Sequence, residues 1–418
     1  MQMKIGTGHG SDWQTILPRR RFLKAGVILG AGCAAASLTR LLPALGAAVV
    51  DLPFENGSRR LARFPQKRDL ILQRTWPPLL ETPMSVLGQD VFTPNDAFYV
   101  RWHLGSIPTE IDVASFRLRI HGEVESPLEL TLEQLQREFE PVRIAAVNQC
   151  SGNSRAFFSS RVPGGEWGNG AIGNAWWTGV KLSDLLKRAG VKSSAVQVRF
   201  NGLDTGVKPE TPDFIKALEL SHAMDGEVMI AYGMNDAPLP MLNGFPLRLV
   251  VPGWFATYWV KMLNDIEVID HNDDNFWMKS AYLIPDTPGA DMKPGEKPKV
   301  VPINRMPPRS FIFSVADGAR LHPPFEVSGL AFGGNTGVAK VMFSPDGGAH
   351  WQEARLGSDH GKFSFRKWTA QVDSTSPGAH VLMSRTFNLD GVAQPMEPNW
   401  NPGGYMRAVV ESVRVQVI

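Results

Sequence analysis

The sequence predicts a two-domain α+β protein, in which a mixed α and β domain is followed by an immunoglobulin-like β-sandwich. Residues 115–285 combine period-two apolar alternation with short amphipathic helices, whereas residues from 311 onward contain only short strand-like stretches separated by turn signals. Between them, residues 289–310 are rich in Pro and Lys and lack periodicity, which is typical of a linker. We therefore predict domains at 48–288 and 311–418.

Residues 1–47 are predicted to be an export signal rather than part of the fold. They contain the basic stretch "RRRFLK" at 19–24, a short apolar segment rich in Gly and Ala, and small residues around 46–48. Paired arginines followed by x-Phe-Leu-Lys indicate the twin-arginine route, which carries folded proteins to the periplasm. The apolar segment is a poor membrane span, and a retained anchor is the alternative. Proteins that take this route often bind a cofactor in the cytoplasm before export, so we expect a bound cofactor.

The charge distribution argues against nucleic acid as a partner. The chain of 418 residues has 43 Lys and Arg and 41 Asp and Glu, but residues 1–46 hold six of the former and one of the latter. The mature protein therefore has a net charge of about −3 and no basic block. After the leader no apolar run reaches membrane-spanning length, so we expect no membrane span in the mature protein.

The first domain reads as strands joined by short helices. "RIAAVNQC" is a strand that ends at Cys150, and chain segments that follow strands often carry functional residues. Thr131 with Gln134 marks a helix start, and Gly190 marks the end of a second helix. Further strands are predicted in 116–124, 195–204, 228–235 and 245–270, the last with a turn at Pro252–Gly253.

The second domain consists of roughly seven short strands in about 110 residues, which favours an immunoglobulin-like sandwich. The string "SPDGG" at 344–348 predicts a hairpin within it.

Cys150 is expected to be the single thiol of the mature protein, because Cys33 lies in the leader. It cannot form an internal disulfide, and three roles remain open. It is an inert buried residue, a nucleophile paired with His103, His121 or His222, or a metal ligand. No cluster of Cys and His suits a zinc, iron–sulfur or haem site. A single thiolate serves as a metal ligand only if an organic cofactor supplies most of the coordination.

The string "NQCSGNSR" (148–155), together with "GGEWGNGAIGNAWWTGVKLSDLL" (164–186), resembles the core of the sulfite oxidase family of molybdenum enzymes. In that family one cysteine binds molybdenum and a pterin dithiolene, molybdopterin, supplies two more sulfurs. The resemblance covers roughly residues 70–418. It also includes the segments 93–103, 229–240, 243–263, 341–356 and 399–417.

The resemblance implies a role for each matching residue. Cys150 would bind molybdenum. Arg101 and Arg155 would line the anion pocket, Trp167 would form its wall, and Tyr282 would bond an oxygen of the substrate. The pterin and its phosphate would be held by His103, Arg248 and Lys261. Arg355 is a further candidate pocket cation from the second domain. Two positions depart from the family pattern: Ser154 stands where Arg is frequent, and Asn243 where His is common.

By the same resemblance the protein is expected to be a homodimeric sulfite dehydrogenase that oxidises sulfite to sulfate. No haem, flavin or dinucleotide motif is identified, so we expect an external electron acceptor, a c-type cytochrome in the periplasm. The alternatives are a nitrate or sulfoxide reductase of related type, or a non-catalytic secreted β-rich binding protein without metal.

Overall fold

The computed structural model describes residues 49–51, 57–286, 299–373 and 375–418. The predicted leader and residues 289–298 of the predicted linker lie outside the described residues. In the described part of the chain, no helix is long and apolar enough to cross a membrane.

The first domain has sixteen strands, five short α-helices and three 3-10 helices of three residues each in its described residues. The strands are β1 Val49–Asp51, β2 Ser58–Ala62, β3 Leu70–Arg74, β4 Leu79–Glu81, β5 Val100–Arg101, β6 Leu118–Gly122, β7 Leu128–Leu130, β8 Pro141–Gln149, β9 Ile172–Lys181, β10 Gln197–Gly202, β11 Lys216–Glu219, β12 Met229–Met234, β13 Ala237–Pro238, β14 Arg248–Val250, β15 Leu263–Ile269 and β16 Leu283–Pro285. The α-helices are α1 Met84–Leu87, α2 Leu132–Glu138, α3 Leu182–Ala189, α4 Leu220–Ala223 and α5 Phe276–Lys279.

Three sheets organise this domain. Their strand orders are β1-β2-β3-β4-β5, β11-β10-β15-β6-β7 and β13-β12-β9-β8, with β14 paired to β12. The largest apolar cluster contains residues of the last two sheets and of α3, among them Trp177, Phe200 and Leu185, each 0% exposed. Burial of this kind stabilises by about 25 cal/mol per Å² of apolar surface removed from water. The core therefore fixes the sheet edges from which the site loops emerge.

Both predicted helix boundaries are confirmed. Thr131 caps α2 through its side chain, which accepts from the backbone N–H of Gln134, and the Gln134 side chain bonds back to the cap. Gly190 ends α3 with φ of 71°, a left-handed conformation that glycine adopts without strain.

The second domain is the predicted β-sandwich. Its strands are β18 Arg309–Ile312, β19 Ala319–Leu321, β20 Phe325–Phe332, β21 Val338–Ser344, β22 Gln352–Glu353, β23 Arg355–Leu356, β24 Arg366–Val372, β25 Gly378–Asn388 and β26 Ser412–Val417, preceded by β17 Val300–Pro302, which pairs with β16. The two sheets have the orders β18-β20-β24-β23 and β19-β26-β25-β21-β22. The predicted hairpin is present between β21 and β22. The domain has more strands than the seven or so predicted because β19, β22 and β23 are only two or three residues long. Such short strands do not show a periodic pattern in the sequence.

Candidate functional site

Cys150 follows directly after β8 and closes a tight loop. Its backbone N–H donates to the carbonyl of Ala171 at 2.9 Å, and its carbonyl accepts from the N–H of Asn153 at 3.0 Å. It is a free thiol with 8% of its surface exposed. The described residues contain no group of three or more His, Cys, Asp or Glu that could hold a metal ion. Cys150 is therefore not part of a cluster of such side chains in the described residues.

The loop that holds Cys150 is supported by buried hydrogen bonds. The carboxylate of Glu81 in β4 accepts from the backbone N–H groups of Gly168 at 3.0 Å and Gly170 at 2.8 Å. The side-chain oxygen of Asn153 accepts from the N–H of Ala171 at 3.0 Å. Burial raises the pKa of Glu81, while the two backbone donors oppose that rise. These contacts place the thiol in one defined position.

Two adjoining cavities share Cys150. The inner cavity is the smaller of the two. Four residues line both of them: Arg101, Cys150, Ser151 and Tyr282. Of the other predicted site residues, His103, Arg248 and Lys261 line the inner cavity, and Arg155 and Trp167 line the outer one. The fold thus brings together eight of the nine candidate residues, all except Arg355, while the role of each remains a prediction.

The inner cavity is lined by buried polar atoms without a hydrogen-bond partner. These atoms are Arg101 Nη1, His103 Nδ1, Asn148 Nδ2, Arg248 Nε and Thr257 Oγ1. Leaving a buried polar group unsatisfied costs about 1–3 kcal/mol, so five in one cavity indicate a polar ligand that satisfies them. Most of them are donors, which fits a pterin with its phosphate.

Arg248 and Lys261 meet because they pair across an isolated β-bridge. Gly244, with φ of 110°, lies against both, since a side-chain carbon there would stand 3.1 Å from each Cβ. Burial lowers the pKa of Arg248 to about 10. Burial lowers the pKa of Lys261 to about 7, although the carboxylate of Asp204 opposes this. Arg248 stays charged at neutral pH, and an anion in the cavity would favour the charged form of Lys261, so the pair suits a phosphate.

Asn243, the position at which the family commonly has His, is held by a buried lysine. Its side-chain oxygen accepts from Lys67 Nζ, and its Nδ2 donates to the carbonyl of Tyr99 at 3.1 Å. Lys67 Nζ also donates to the carbonyl of Phe98 at 2.9 Å. Burial lowers the pKa of Lys67 to about 7. No sequence pattern indicated a role for Lys67, which stands among polar residues and looks like a surface lysine.

His103 and Tyr282 form a hydrogen-bonded pair where the two cavities meet. The phenolic oxygen of Tyr282 lies within hydrogen-bond distance of His103 Nε2, and the imidazole stacks on Phe214 with ring centres 3.6 Å apart. Burial and the charge of Arg101 hold the pKa of His103 well below its usual range. Burial raises the pKa of Tyr282. Both groups are therefore neutral near pH 7, and the phenol can donate a hydrogen bond.

Arg155 points a charged group into the outer cavity without a carboxylate partner in the described residues. Its guanidinium donates to the carbonyl of Gly403 at 3.0 and 3.2 Å and to that of Gly165 at 3.3 Å. It lies over the ring of Tyr405 at 5.2 Å. Trp167 is 1% exposed and packs edge-on against Tyr99. Neutral carbonyl partners orient the guanidinium while leaving its charge available to an anion.

The expectation for Arg355 is wrong. It lies exposed on β23, where its Nε donates to the hydroxyl of Thr369 at 3.4 Å, and it lines neither cavity. The second domain contributes Gly403 and Tyr405 to the outer cavity instead. The segment 341–356, which resembles the family around Arg355, forms the hairpin of the sandwich and the strand after it. Its resemblance therefore predicts the fold and not a site residue.

Comparison with known proteins agrees with this geometry. Residues 104–277 match the family described as "Oxidoreductase molybdopterin binding domain", and residues 301–418 match "Mo-co oxidoreductase dimerisation domain". The mitochondrial sulfite oxidase of Drosophila melanogaster is 30% identical over 376 residues, which is 85% of this chain and 64% of the relative. The sulfite oxidase of Arabidopsis thaliana is 32% identical over 323 residues, 74% of this chain and 80% of the relative.

Among solved structures, the sulfane dehydrogenase SoxCD from Paracoccus pantotrophus superposes with a TM-score of 0.70. It is 25% identical in sequence, and the match covers 93% of each chain. The chain spans about two thirds of the length of the animal relatives, 64% for the fly enzyme. The matched domains and the cavity donors indicate a molybdenum–pterin cofactor. The chain therefore belongs to the sulfite oxidase family of molybdenum enzymes.

Proposed function

We propose that the protein is a sulfite dehydrogenase that oxidises sulfite to sulfate and passes two electrons to an external acceptor. The observation that carries the proposal is the position of Cys150. Its thiol stands between a donor-rich inner cavity and an outer cavity lined by arginines, with no aspartate or glutamate among the outer lining residues that the structure describes. A soft thiolate on one side and an anion pocket on the other suit a molybdenum centre acting on a small oxyanion.

The inner cavity would hold the cofactor. Arg248 and Lys261 would bind the phosphate, and His103 Nδ1, Asn148 Nδ2 and Thr257 Oγ1 would bond the polar edges of the pterin. When bound, molybdenum supplies two-electron oxygen-atom transfer, and Cys150 would anchor it from the protein side.

The outer cavity would bind the substrate. Sulfite is a dianion near neutral pH, and Arg101 and Arg155 face a cavity that offers no competing carboxylate in its described lining. At about 4 Å and an effective dielectric near 20, each charge pair contributes roughly 4 kcal/mol before desolvation. Tyr282 lines both cavities with a neutral phenol, so it would donate a hydrogen bond to a substrate oxygen.

The names of the relatives support a sulfur substrate. The two curated relatives described above are sulfite oxidases, and the solved structure is called a sulfane dehydrogenase. The identities of 25–34% leave the substrate to be tested. Sulfite is favoured because the pocket is rich in guanidinium groups, which bind oxyanions through paired donors.

The acceptor, the assembly and the location form the rest of the proposal. We expect a c-type cytochrome as acceptor, a homodimer built through the dimerisation domain at 301–418, and a periplasmic location set by the leader.

Changing Arg19 and Arg20 to Lys should retain the protein in the cytoplasm, which cell fractionation would show. Unchanged export of that variant would contradict the twin-arginine prediction.

The experiment that tests the activity combines elemental analysis with a sulfite-dependent assay of cytochrome c reduction. Protein from cells that make the cofactor should contain close to one molybdenum per chain and reduce cytochrome c only when sulfite is added. Molybdenum without sulfite oxidation would overturn the proposed substrate, and a sulfane compound would then be tried. Absence of molybdenum would overturn the enzyme altogether and favour a binding protein.

A further inference from the structure

Arg74 and Arg101 project from the same face of one sheet. Arg74 in β3 is paired with Leu79 in β4, and Leu79 is paired with Arg101 in β5. Paired residues on neighbouring strands point to the same side, and two strand spacings of about 4.8 Å place the two arginine Cα atoms about 10 Å apart. All three residues line the outer cavity. Glu81, two positions along β4 on this face, supports the loop after Cys150.

The exposure of the lining residues shows where the outer cavity opens. Arg74 is exposed, Arg101 is half-buried, and Cys150 and Arg155 are each 8% exposed. An anion that enters from solvent therefore meets Arg74 first. Arg101 lines both cavities, so it lies between the entrance and the thiol.

Neither guanidinium group forms a close ion pair in the described part of the chain. Arg74 Nε donates to the carbonyl of Pro77 at 3.2 Å, and Arg101 Nη1 is buried without a hydrogen-bond partner. No carboxylate of the described residues lies within 4.0 Å of either group, and the described lining of the cavity has no aspartate or glutamate. Burial lowers the pKa of Arg74, and the positive charge of Arg101 lowers it further. Two like charges that face one cavity repel each other unless an anion lies between them.

We propose that Arg74 and Arg101 form an outer oxyanion position at the entrance of the outer cavity. It is separate from the inner position, which lies deeper in the same cavity beside Arg155 and Cys150. It takes small doubly charged oxyanions: sulfite on the way in and sulfate on the way out. It raises the local concentration of substrate, and Arg101 passes the anion to the inner position. This inference rests on the proposed function for the identity of the anion, but the position itself can be tested by binding alone.

The first test compares Arg74→Gln with Arg137→Gln in the holoenzyme. Arg137 is an exposed residue of α2 that pairs with Glu133, so its replacement removes the same charge at a position that lines neither cavity. For Arg74→Gln we expect KM for sulfite to rise about threefold to tenfold at low salt, with kcat within twofold of wild type. The difference should shrink in 0.5 M salt, because exposed charges are screened over about 3–10 Å. Arg74→Lys should recover part of the loss, and Arg137→Gln should match wild type.

The second test measures the binding of inorganic sulfate to the resting holoenzyme by calorimetry. Arg74→Gln should weaken sulfate binding by a factor similar to its effect on KM. Equal KM and equal sulfate affinity in wild type and Arg74→Gln would overturn the outer position, even if sulfite oxidation is confirmed. Sulfate binding that depends on Arg74 would support the position, even if the wild-type enzyme does not oxidise sulfite.

Discussion

Arg309, the first residue of β18, donates from Nη2 to the hydroxyl of Ser154 at 2.6 Å. Ser154 directly precedes Arg155 in the loop that follows Cys150, so a residue of the second domain holds the loop of the first. Arg309 is 0% exposed, and the same nitrogen lies 2.9 Å from Glu411. An arginine at position 154, frequent in the family, would face Arg309 at close range. The small serine is therefore explained by the buried guanidinium beside it.

Replacing Arg309 by Met should destabilise the protein and loosen the site loop. The change removes one of the two side-chain partners of Ser154 and leaves Glu411 with Arg407 alone, whose Nη1 lies 2.7 Å away. Removing one member of a buried ion pair costs about 3–5 kcal/mol, and the remaining arginine should keep the loss near the lower end. Thermal and denaturant unfolding would measure it. Arg320→Met, at an exposed position of β19, is the control. Equal unfolding midpoints for the two variants would contradict the role of Arg309.

Replacing Cys150 by Ser should leave the protein folded and containing molybdenum but nearly inactive. The hydroxyl offers the metal a hard ligand in place of a soft one. Loss of outer-shell partners costs about 10–100-fold in metal affinity or activity, so we expect a loss of at least about 100-fold here. Sulfite-dependent turnover and metal content would be measured on the same sample. Wild-type turnover in the serine variant would rule out Cys150 as the ligand.

The cavity residues that belong to contiguous motifs could be predicted from the sequence. The buried residues that lie outside any recognisable motif could not. Cys150, Arg155 and Trp167 lie in strings specific enough to be recognised. Lys67 and Arg309 are buried only because distant segments fold over them, and nothing in their neighbouring residues indicates this. Sequence separation hides such contacts, since Lys67 and Asn243 are 176 positions apart.

Replacing Lys216 by Met should flatten the dependence of stability on pH. Lys216 is 1% exposed, donates to the carbonyl of Trp277 at 2.7 Å, and has a pKa that burial lowers to about 7. In the unfolded chain its pKa is near 10.4, so between about pH 7 and 10 the unfolded state binds the extra proton. Stability should therefore rise with pH across that window, by up to about 1.4 kcal/mol per pH unit.

Denaturant unfolding at pH 7.5 and 9.5 would test this dependence. Wild type should gain stability between the two values, and Lys216→Met should gain less and be the more stable of the two at pH 7.5. Lys208→Met, at an exposed position, serves as the control and should keep the wild-type slope. An unchanged slope in Lys216→Met would show that the buried amine does not control it.

Replacing Tyr282 by Phe should lower kcat while leaving the fold intact. The ring would keep its contact with Tyr405, whose centre is 5.3 Å away, but His103 Nε2 would lose its partner and the substrate would lose a donor. Because general acid and base groups contribute about 10²–10⁴-fold, we expect kcat to fall by about 100-fold. Tyr232→Phe removes a phenolic oxygen from β12, outside the lining of either cavity, and should leave kcat unchanged. Steady-state kinetics would measure both variants. A kcat within threefold of wild type in Tyr282→Phe would show that this tyrosine acts only in packing, because the hydroxyl is the one group that the change removes.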